Sequence, residues 1–147
     1  MILGFDIDGV IAEEDYKKPY GKPQNIWNKH YVKVKKISGS ELLNQLIQNH
    51  KVILITGRLE GSRKITINWL DKKNIYYTKL HLRKKQSIGI THHKITEIIK
   101  EDCDCYFDNN NRVIKGIKAK IPDFPAYHFK SWREVYCTLE EIIRFRK

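Results

Sequence analysis

Short apolar segments alternate with amphipathic ones along this chain, and this alternation restricts the fold more than any other feature. The clearest apolar segment is 51–55, where four branched apolar residues follow a lysine. Such runs are typical of strands that are buried on both faces of a parallel sheet. Further short strands are predicted at 2–7, 75–80, 105–107 and 125–129.

Between these segments, apolar residues recur at the spacing of an amphipathic helix. Ser38 and Glu41 form a capping-box pattern before the first predicted helix. Ser131 and Glu134 form a second one before the last, and Thr91 is a candidate N-cap between them. The apolar helix positions are Leu42, Leu43, Leu46 and Ile47; Ile65, Trp69 and Leu70; Ile95, Ile98 and Ile99; and Trp132, Val135, Tyr136, Leu139, Ile142 and Ile143. Strands alternating with helices predict an α/β fold, a three-layer Rossmann-like parallel sheet with helices on both faces.

The length of 147 residues predicts one domain, 1–147, which is large enough to bury a core without disulfides or metals. Segment 13–37, called the flap here, is polar and contains Pro19 and Pro23. Alternating residue types at 31–35 predict a strand within the flap. Its aromatic side chains either stack a nucleobase or simply close the loop over the core: Tyr16, Tyr20, Trp27 and Tyr31.

The chain carries 28 basic and 17 acidic residues, a formal net charge of +11. This charge favours anionic partners such as phosphate esters or nucleic acid, and a lysine-rich surface without a binding role is the alternative. Cys103, Cys105 and Cys137 are odd in number and form no paired CxxC, so we expect free thiols and a cytoplasmic location. No apolar run reaches the roughly 20 residues of a membrane span, and no membrane partner is expected.

Polar residues that could take part in catalysis follow the predicted strands. Asp6 and Asp8 leave the first strand together, and Gly9 permits a sharp turn that could bring backbone N–H groups near an anion. One carboxylate can attack phosphorus, and a second, protonated one can give a proton to the leaving oxygen. An ordinary turn or a calcium-type loop is the alternative interpretation of this pattern.

Three further positions belong to the same predicted edge of the sheet, where ligands bind in such folds. Thr56, with Gly57 and Arg58, follows the second strand and offers a hydroxyl and a free N–H to a phosphate. Lys94 lies in the first turn of its predicted helix and could neutralise phosphoryl charge. Asp108 ends the fourth strand as a hard oxygen ligand for Mg²⁺.

The order and spacing of three features resemble the haloacid dehalogenase (HAD) superfamily. These features are Asp-Ile-Asp-Gly-Val at 6–10, Ile-Thr-Gly-Arg at 55–58 and a lysine 14 residues before Asp108. The resemblance covers nearly the whole chain. Lys94 is preferred as that lysine because it starts a helix, although Lys100 is a competitor, and Lys79, Lys84 and Lys85 precede it.

The resemblance implies specific roles. Asp6 is then the nucleophile and a magnesium ligand, and Asp8 is the general acid/base with its carbonyl on the metal. Thr56 binds phosphate, Lys94 stabilises charge, and Asp108 is the third ligand of the Mg²⁺ ion. Because it has both carboxylates, the chain is similar to the phosphatase branch of the superfamily.

One position departs from the pattern, because many relatives carry a second acid where this chain has Asn109. The Asp-Gly-Val motif with a terminal Ser-Trp-x-Glu-Val helix is similar to the deoxyribonucleotidase-like nucleotidases. We therefore expect a magnesium-dependent phosphomonoester hydrolase acting on a nucleotide or a nucleic-acid terminal phosphate. A weakly active phosphate or nucleic-acid binding protein and a phosphotransferase are the alternatives.

Substrate size should depend on whatever covers the site. The flap is too short for a folded cap with its own core, so the cap domain is expected to be minimal or absent. The segment after the third predicted strand contributes Arg83, Lys84 and Lys85. These residues either bind substrate phosphates at the rim of the site or form a solvated basic loop.

Overall fold

In the computed structural model, which describes residues 1–14 and 17–146, five parallel strands form one sheet in the order β3-β2-β1-β4-β5. The strands are β1 Ile2–Phe5, β2 Lys51–Leu59, β3 Lys79–Arg83, β4 Cys105–Asp108 and β5 Ala126–His128. The helices are α1 Gln24–Lys33, α2 Leu42–Leu46, α3 Arg63–Lys72, α4 Ile90–Glu101, α5 Asn111–Lys120 and α6 Trp132–Arg146, with a 3₁₀ turn at Glu60–Ser62. The predicted α/β class with a parallel sheet is confirmed.

Helices cover both faces of the sheet. Successive side chains of β2 pack alternately on one face and on the other. Val52 and Leu54 belong to an apolar cluster that includes residues of α2, α3 and α6. Ile53 and Ile55 belong to a second cluster that includes residues of α4 and α5. The unbroken apolar run at 51–55 therefore reflects a strand that is buried on both sides.

Two predicted boundaries are wrong. The third strand begins at Lys79 rather than at Ile75, because α3 ends in a turn with Asn74 at a φ of 56° and Ile75 still donates its N–H to the Leu70 carbonyl. Helix α4 begins at Ile90 with Gly89 in the N-cap position, two residues before the expected cap Thr91. Its first bond runs from the His93 N–H to the Gly89 carbonyl.

The flap holds helix α1, and the strand predicted at 31–35 is wrong. Tyr31 lies in the last turn of this helix, and only after Lys33 does the chain become extended at Val34. The helix buries Tyr31 and packs on α3, and only beyond it does the chain pair with segment 11–13, through Lys35, Lys36 and Ile37. The flap aromatic Tyr16 lies outside the described residues.

Helix α5 has no counterpart among the predicted elements. Asn110 caps it by accepting the Arg112 N–H, and Val113, Ile114 and Ile117 form its buried stripe. At α6 the expected cap is present, because the Ser131 hydroxyl accepts the Glu134 N–H. Among the described residues, no helix has the length and apolar character that crossing a bilayer requires.

Candidate active site

The carboxyl ends of two neighbouring strands bring together acids that are about a hundred positions apart in the sequence. Asp6 follows β1 directly, and Asp108 is the last residue of β4. The two strands pair in parallel with Phe5 opposite Phe107, and the Asp6 N–H continues the ladder to the Phe107 carbonyl. Both carboxylates are buried, with Asp6 6% and Asp108 0% exposed.

Lys94 joins these two acids. Its Nζ atom lies 2.6 Å from Asp108 Oδ2 and 3.3 Å from Asp6 Oδ2, and the residue is only 3% exposed. The position follows from helix α4, whose first turn lies over the carboxyl ends of the strands. The competing lysines Lys79, Lys84, Lys85 and Lys100 are all exposed.

The Asp108 carboxylate is held on both oxygens. Its Oδ2 atom accepts from the Tyr106 hydroxyl at 2.9 Å as well as from Lys94, and its Oδ1 accepts the Asn110 N–H at 2.9 Å. Asp6 Oδ1 in turn accepts the Ile7 N–H at 2.8 Å. Both carboxylates are thus oriented by hydrogen bonds before any ligand arrives.

Asp8 is bound by Arg58 through two parallel hydrogen bonds. Arg58 Nη2 lies 2.7 Å from Asp8 Oδ1 and Nε lies 2.9 Å from Oδ2. The remaining nitrogen, Nη1, donates to Thr66 Oγ1 at 3.1 Å. Arg58, which is predicted to bind substrate, lines the cleft, and its guanidinium orients the predicted general acid.

Thr56 and Gly57 lie inside β2, and the expectation that Thr56 follows the strand is wrong. The pairing of β2 with β3 shifts register between Ile55 and Leu59, and such an irregularity redirects side chains while the strand continues. Thr56 is fully buried, and its hydroxyl accepts the Arg58 N–H at 3.1 Å. Gly57 lines the cleft, where an added Cβ would press on Ile90.

Gly9 has a φ of +84°, and a Cβ there would collide with the Asn109 side chain. Its N–H is bonded to the Ala12 carbonyl, so it serves the turn rather than an anion in this structure. The Asn109 amide donates to Glu14 Oε2 at 3.2 Å. The flap acid Glu14 therefore lies beside Asn109, the position at which the family resemblance predicts a second acid.

The pKa values of the two acids that follow β1 move in opposite directions. Burial raises the pKa of Asp6 well above its ordinary value, the nearby carboxylates of Asp108 and Asp8 add to this, and Lys94 opposes it. Burial also acts to raise the pKa of Asp8, but the charge and hydrogen bonds of Arg58 outweigh it, so the Asp8 pKa lies below its ordinary value. Arg58 therefore favours the carboxylate form of Asp8.

These residues lie at the base of a cleft of about 570 Å³. Arg83 lines it, but its guanidinium also donates to the carbonyls of Gly57, Gln86 and Ile88 and so holds the β3–α4 loop. Among the described residues, neither Lys84 nor Lys85 belongs to the lining. The cleft residues that the flap contributes are Glu14, Lys18, Tyr20, Gly21, Lys22, Pro23, Gln24, Trp27 and Tyr31.

Sequence reasoning missed the contribution of Lys18. Its Nζ lies 3.0 Å from Glu14 Oε1, and its charge helps to lower the pKa of Asp8. Glu14 and Lys18 are four positions apart, which is the one signal in the sequence that could have paired them. No local pattern indicates that this pair faces Asp8, because the approach depends on how the flap folds back.

The donor set fits the expected Mg²⁺ ion. Asp6 and Asp108 supply hard carboxylate oxygens, and both already converge on one positive charge, the Lys94 ammonium. The Asp8 carboxylate is taken by Arg58, which leaves its main-chain carbonyl as the group that the resemblance assigns to the metal. Within residues 1–14 and 17–146 no three acidic, histidine or cysteine side chains converge, so backbone or water oxygens would complete the coordination.

Comparison with curated proteins finds two relatives that match most of this chain. The chain is 25% identical over 154 aligned positions to "Putative nucleotidase YqfW" of Bacillus subtilis, an alignment that covers 82% of this chain and 77% of that protein. It is 29% identical over 104 positions to "Putative nucleotidase BH1399" of Halalkalibacterium halodurans, covering 70% of this chain and 48% of that protein. No profile of a known protein family matches the sequence.

Solved structures share the fold. A chain in the structure of the Pnkp1/Rnl/Hen1 RNA repair complex superposes with a TM-score of 0.73 at 20% identity. That match covers 87% of this chain and 42% of the larger one, so this chain spans less than half of it. The HAD domain of effector protein Lem4 from Legionella pneumophila gives a TM-score of 0.59 at 14% identity and covers 94% of this chain and 92% of that domain.

The curated relatives and the shared fold agree with the motifs at the carboxyl edge of the sheet, where Asp6, Asp8, Lys94 and Asp108 meet. The chain therefore has the fold of a HAD domain and is similar in sequence to two curated proteins that are named putative nucleotidases.

Proposed function

We propose that this protein is a magnesium-dependent phosphomonoesterase that acts through a phosphorylated Asp6, on a nucleotide or on the terminal phosphate of a nucleic acid. The observation that carries the proposal is the convergence of Asp6 and Asp108 on Lys94, with Asp8 two positions from Asp6 in the lining of the same cleft. Two acids and a buried cation at one point form a site for a phosphoryl group and a divalent ion.

In the first step, a carboxylate oxygen of Asp6 attacks phosphorus and forms the acyl phosphate bond. The bond from phosphorus to the ester oxygen breaks, and its electron pair remains on that oxygen, which takes a proton from Asp8. Lys94 stabilises the charge on the equatorial oxygens. A Mg²⁺ ion held by Asp6 and Asp108 would reduce the repulsion between the nucleophile and the phosphate.

In the second step, Asp8 as a carboxylate accepts a proton from water. The water oxygen forms a bond to phosphorus, the bond to Asp6 breaks, and inorganic phosphate leaves. Arg58 favours the carboxylate form of Asp8, which is the form that this second step requires. The first step requires Asp8 to carry a proton, and Arg58 opposes that form.

The walls of the cleft support a nucleotide-like substrate. Tyr20 is 74% exposed and meets the Trp27 ring edge-on at 5.7 Å, so an aromatic surface is available opposite the catalytic edge. Lys18, Lys22 and Arg83 supply positive charge to the same cleft. Aromatic side chains with interleaved cations are suited to bases and phosphates. The names of the two curated relatives and the RNA repair complex agree with this class.

The test is phosphate release from para-nitrophenyl phosphate, from a panel of nucleoside monophosphates, and from oligonucleotides phosphorylated at the 5′ or 3′ end. We expect release with Mg²⁺ and none from Asp6→Asn. An Asp6→Asn protein with wild-type activity would contradict the proposed role of Asp6, and a folded wild-type protein without activity on any substrate would favour the binding-protein alternative. Transfer of phosphate to an added alcohol instead of water would identify a phosphotransferase.

A further inference from the structure

We propose that Tyr31 of the flap is a positioning residue that acts on the Asp8 acid through Arg58. This inference rests on the proposed function, in which Asp8 moves the proton. Tyr31 lies on α1, an element that belongs to none of the sequence motifs, and its ring lies 3.8 Å from the Arg58 Cζ atom. Both residues are buried, with Tyr31 8% and Arg58 3% exposed.

The Arg58 guanidinium is fixed by groups from three separate segments. Asp8 takes one edge through Nε and Nη2, and Thr66 on α3 accepts from Nη1. These N–H donors lie in the plane of the guanidinium, so their hydrogen bonds leave its two faces uncovered. The Tyr31 ring covers one face through a cation–π contact and adds resistance to motion out of that plane. The Asp8 carboxylate, which shares the plane through its paired hydrogen bonds, is thereby held as well.

The flap helix is itself held in place, so Tyr31 has a defined position. Gln24 Nε2 donates to Ser62 Oγ at 2.7 Å, and Asn28 Nδ2 donates to the Gly61 carbonyl at 3.3 Å. Beyond the helix, Trp69 Nε1 donates to the Val34 carbonyl at 2.9 Å. The orientation of the Asp8 carboxylate therefore depends on how α1 packs against the 3₁₀ turn and α3.

The experiment compares leaving groups. Alkyl phosphates need a proton on the departing oxygen, whereas para-nitrophenolate leaves readily without one. Removal of general acid catalysis lowers the rate by roughly 10²–10⁴-fold. Tyr31→Leu only weakens the positioning of the acid, so kcat should fall by about tenfold or more on an alkyl phosphate but by less than about threefold on para-nitrophenyl phosphate. Tyr31→Phe keeps the ring and should stay close to wild type on both. Val32→Ala, an exposed neighbour on the same helix, is the control for general weakening of α1.

A double variant separates this role from mere support of the fold. If Tyr31 acts through Asp8, Tyr31→Leu should add almost nothing to the loss caused by Asp8→Asn on the alkyl phosphate. Equal losses on both leaving groups, a change confined to KM, or full additivity with Asp8→Asn would overturn the proposal.

A second measurement does not depend on activity. The Arg58 Nε–H resonance should exchange slowly with water in the wild type and in Tyr31→Phe, because that proton is bonded to Asp8. It should exchange at least several-fold faster in Tyr31→Leu. An unchanged rate in Tyr31→Leu would refute the positioning role even if the wild-type protein proved inactive, and inactivity alone would refute only the proposed function.

Discussion

Arg58 holds both oxygens of Asp8, with Nη2 2.7 Å from Oδ1 and Nε 2.9 Å from Oδ2, across fifty positions of sequence. The guanidinium side chain is 1% exposed, whereas the carboxylate is 19% exposed toward the cleft. A buried cation thus orients an acid whose outer side remains open to substrate.

The paired geometry can be tested with Arg58→Lys, which keeps the charge but has no planar fork. We expect kcat on alkyl phosphates to fall by about tenfold or more, because a single ammonium cannot hold both oxygens of Asp8. Steady-state kinetics would measure this, and circular dichroism would verify the fold. Wild-type kcat in a folded Arg58→Lys protein would show that the fork is dispensable.

The two acids of the first motif should respond differently to neutralisation. Asp6→Asn should abolish turnover, because an amide cannot attack phosphorus, while Asp8→Asn should slow it by roughly 10²–10⁴-fold. Rapid quenching with a ³²P-labelled substrate would detect phosphoprotein in the wild type and none in Asp6→Asn. More than a few per cent of wild-type turnover in Asp6→Asn would contradict the mechanism.

Metal dependence should follow from the hard oxygens of Asp6 and Asp108. EDTA should remove activity, and Mg²⁺ or Mn²⁺ should restore it. Mg²⁺ should also raise the melting temperature of the wild type, since a ligand that binds only the folded state stabilises it. Asp108→Asn should lose this shift. Undiminished activity in chelator, or a requirement for Zn²⁺, would count against the assignment.

Two lysine pairs can show which surface receives substrate phosphates. Lys18 and Lys22 line the cleft, whereas Lys84 and Lys85 lie on the exposed β3–α4 loop. Changing the first pair to Ala should raise KM for a phosphorylated oligonucleotide and flatten its salt dependence, because phosphate contacts release counterions. Changing the second pair removes the same charge and should have the smaller effect. The reverse order would support the sequence-based hypothesis for the basic loop.

The turn after Asp8 should tolerate no side chain at Gly9. Gly9→Ala places a Cβ against Asn109 and adds strain at a φ of +84°, and the strain alone costs about 1–3 kcal/mol. Gly21→Ala is the matched control, because Gly21 has a φ of +75° but open space around it. Urea unfolding should show a larger loss for Gly9→Ala than for Gly21→Ala. Equal losses would mean that Asn109 moves aside without cost.

The parallel sheet and the edge that carries the catalytic candidates could be predicted from sequence patterns alone. The unbroken apolar composition of a segment such as 51–55 identifies a strand that is buried on both faces. Acids that follow such strands lie at the same edge of a parallel sheet. This is why Asp6 and Asp108 could be predicted as neighbours. Lys94 could be preferred because the first turn of a helix that follows a strand faces that edge.

The contacts of the flap and of the second motif, Thr56-Gly57-Arg58, depend on the three-dimensional packing. The pattern at 31–35 alternates as a strand would, but α1 extends to Lys33 and buries Tyr31 against Arg58. Arg58 itself points to Asp8 because β2 continues past Thr56 through an irregular pairing with β3. Contacts of this kind join distant segments through side chains, and local propensity carries no information about them.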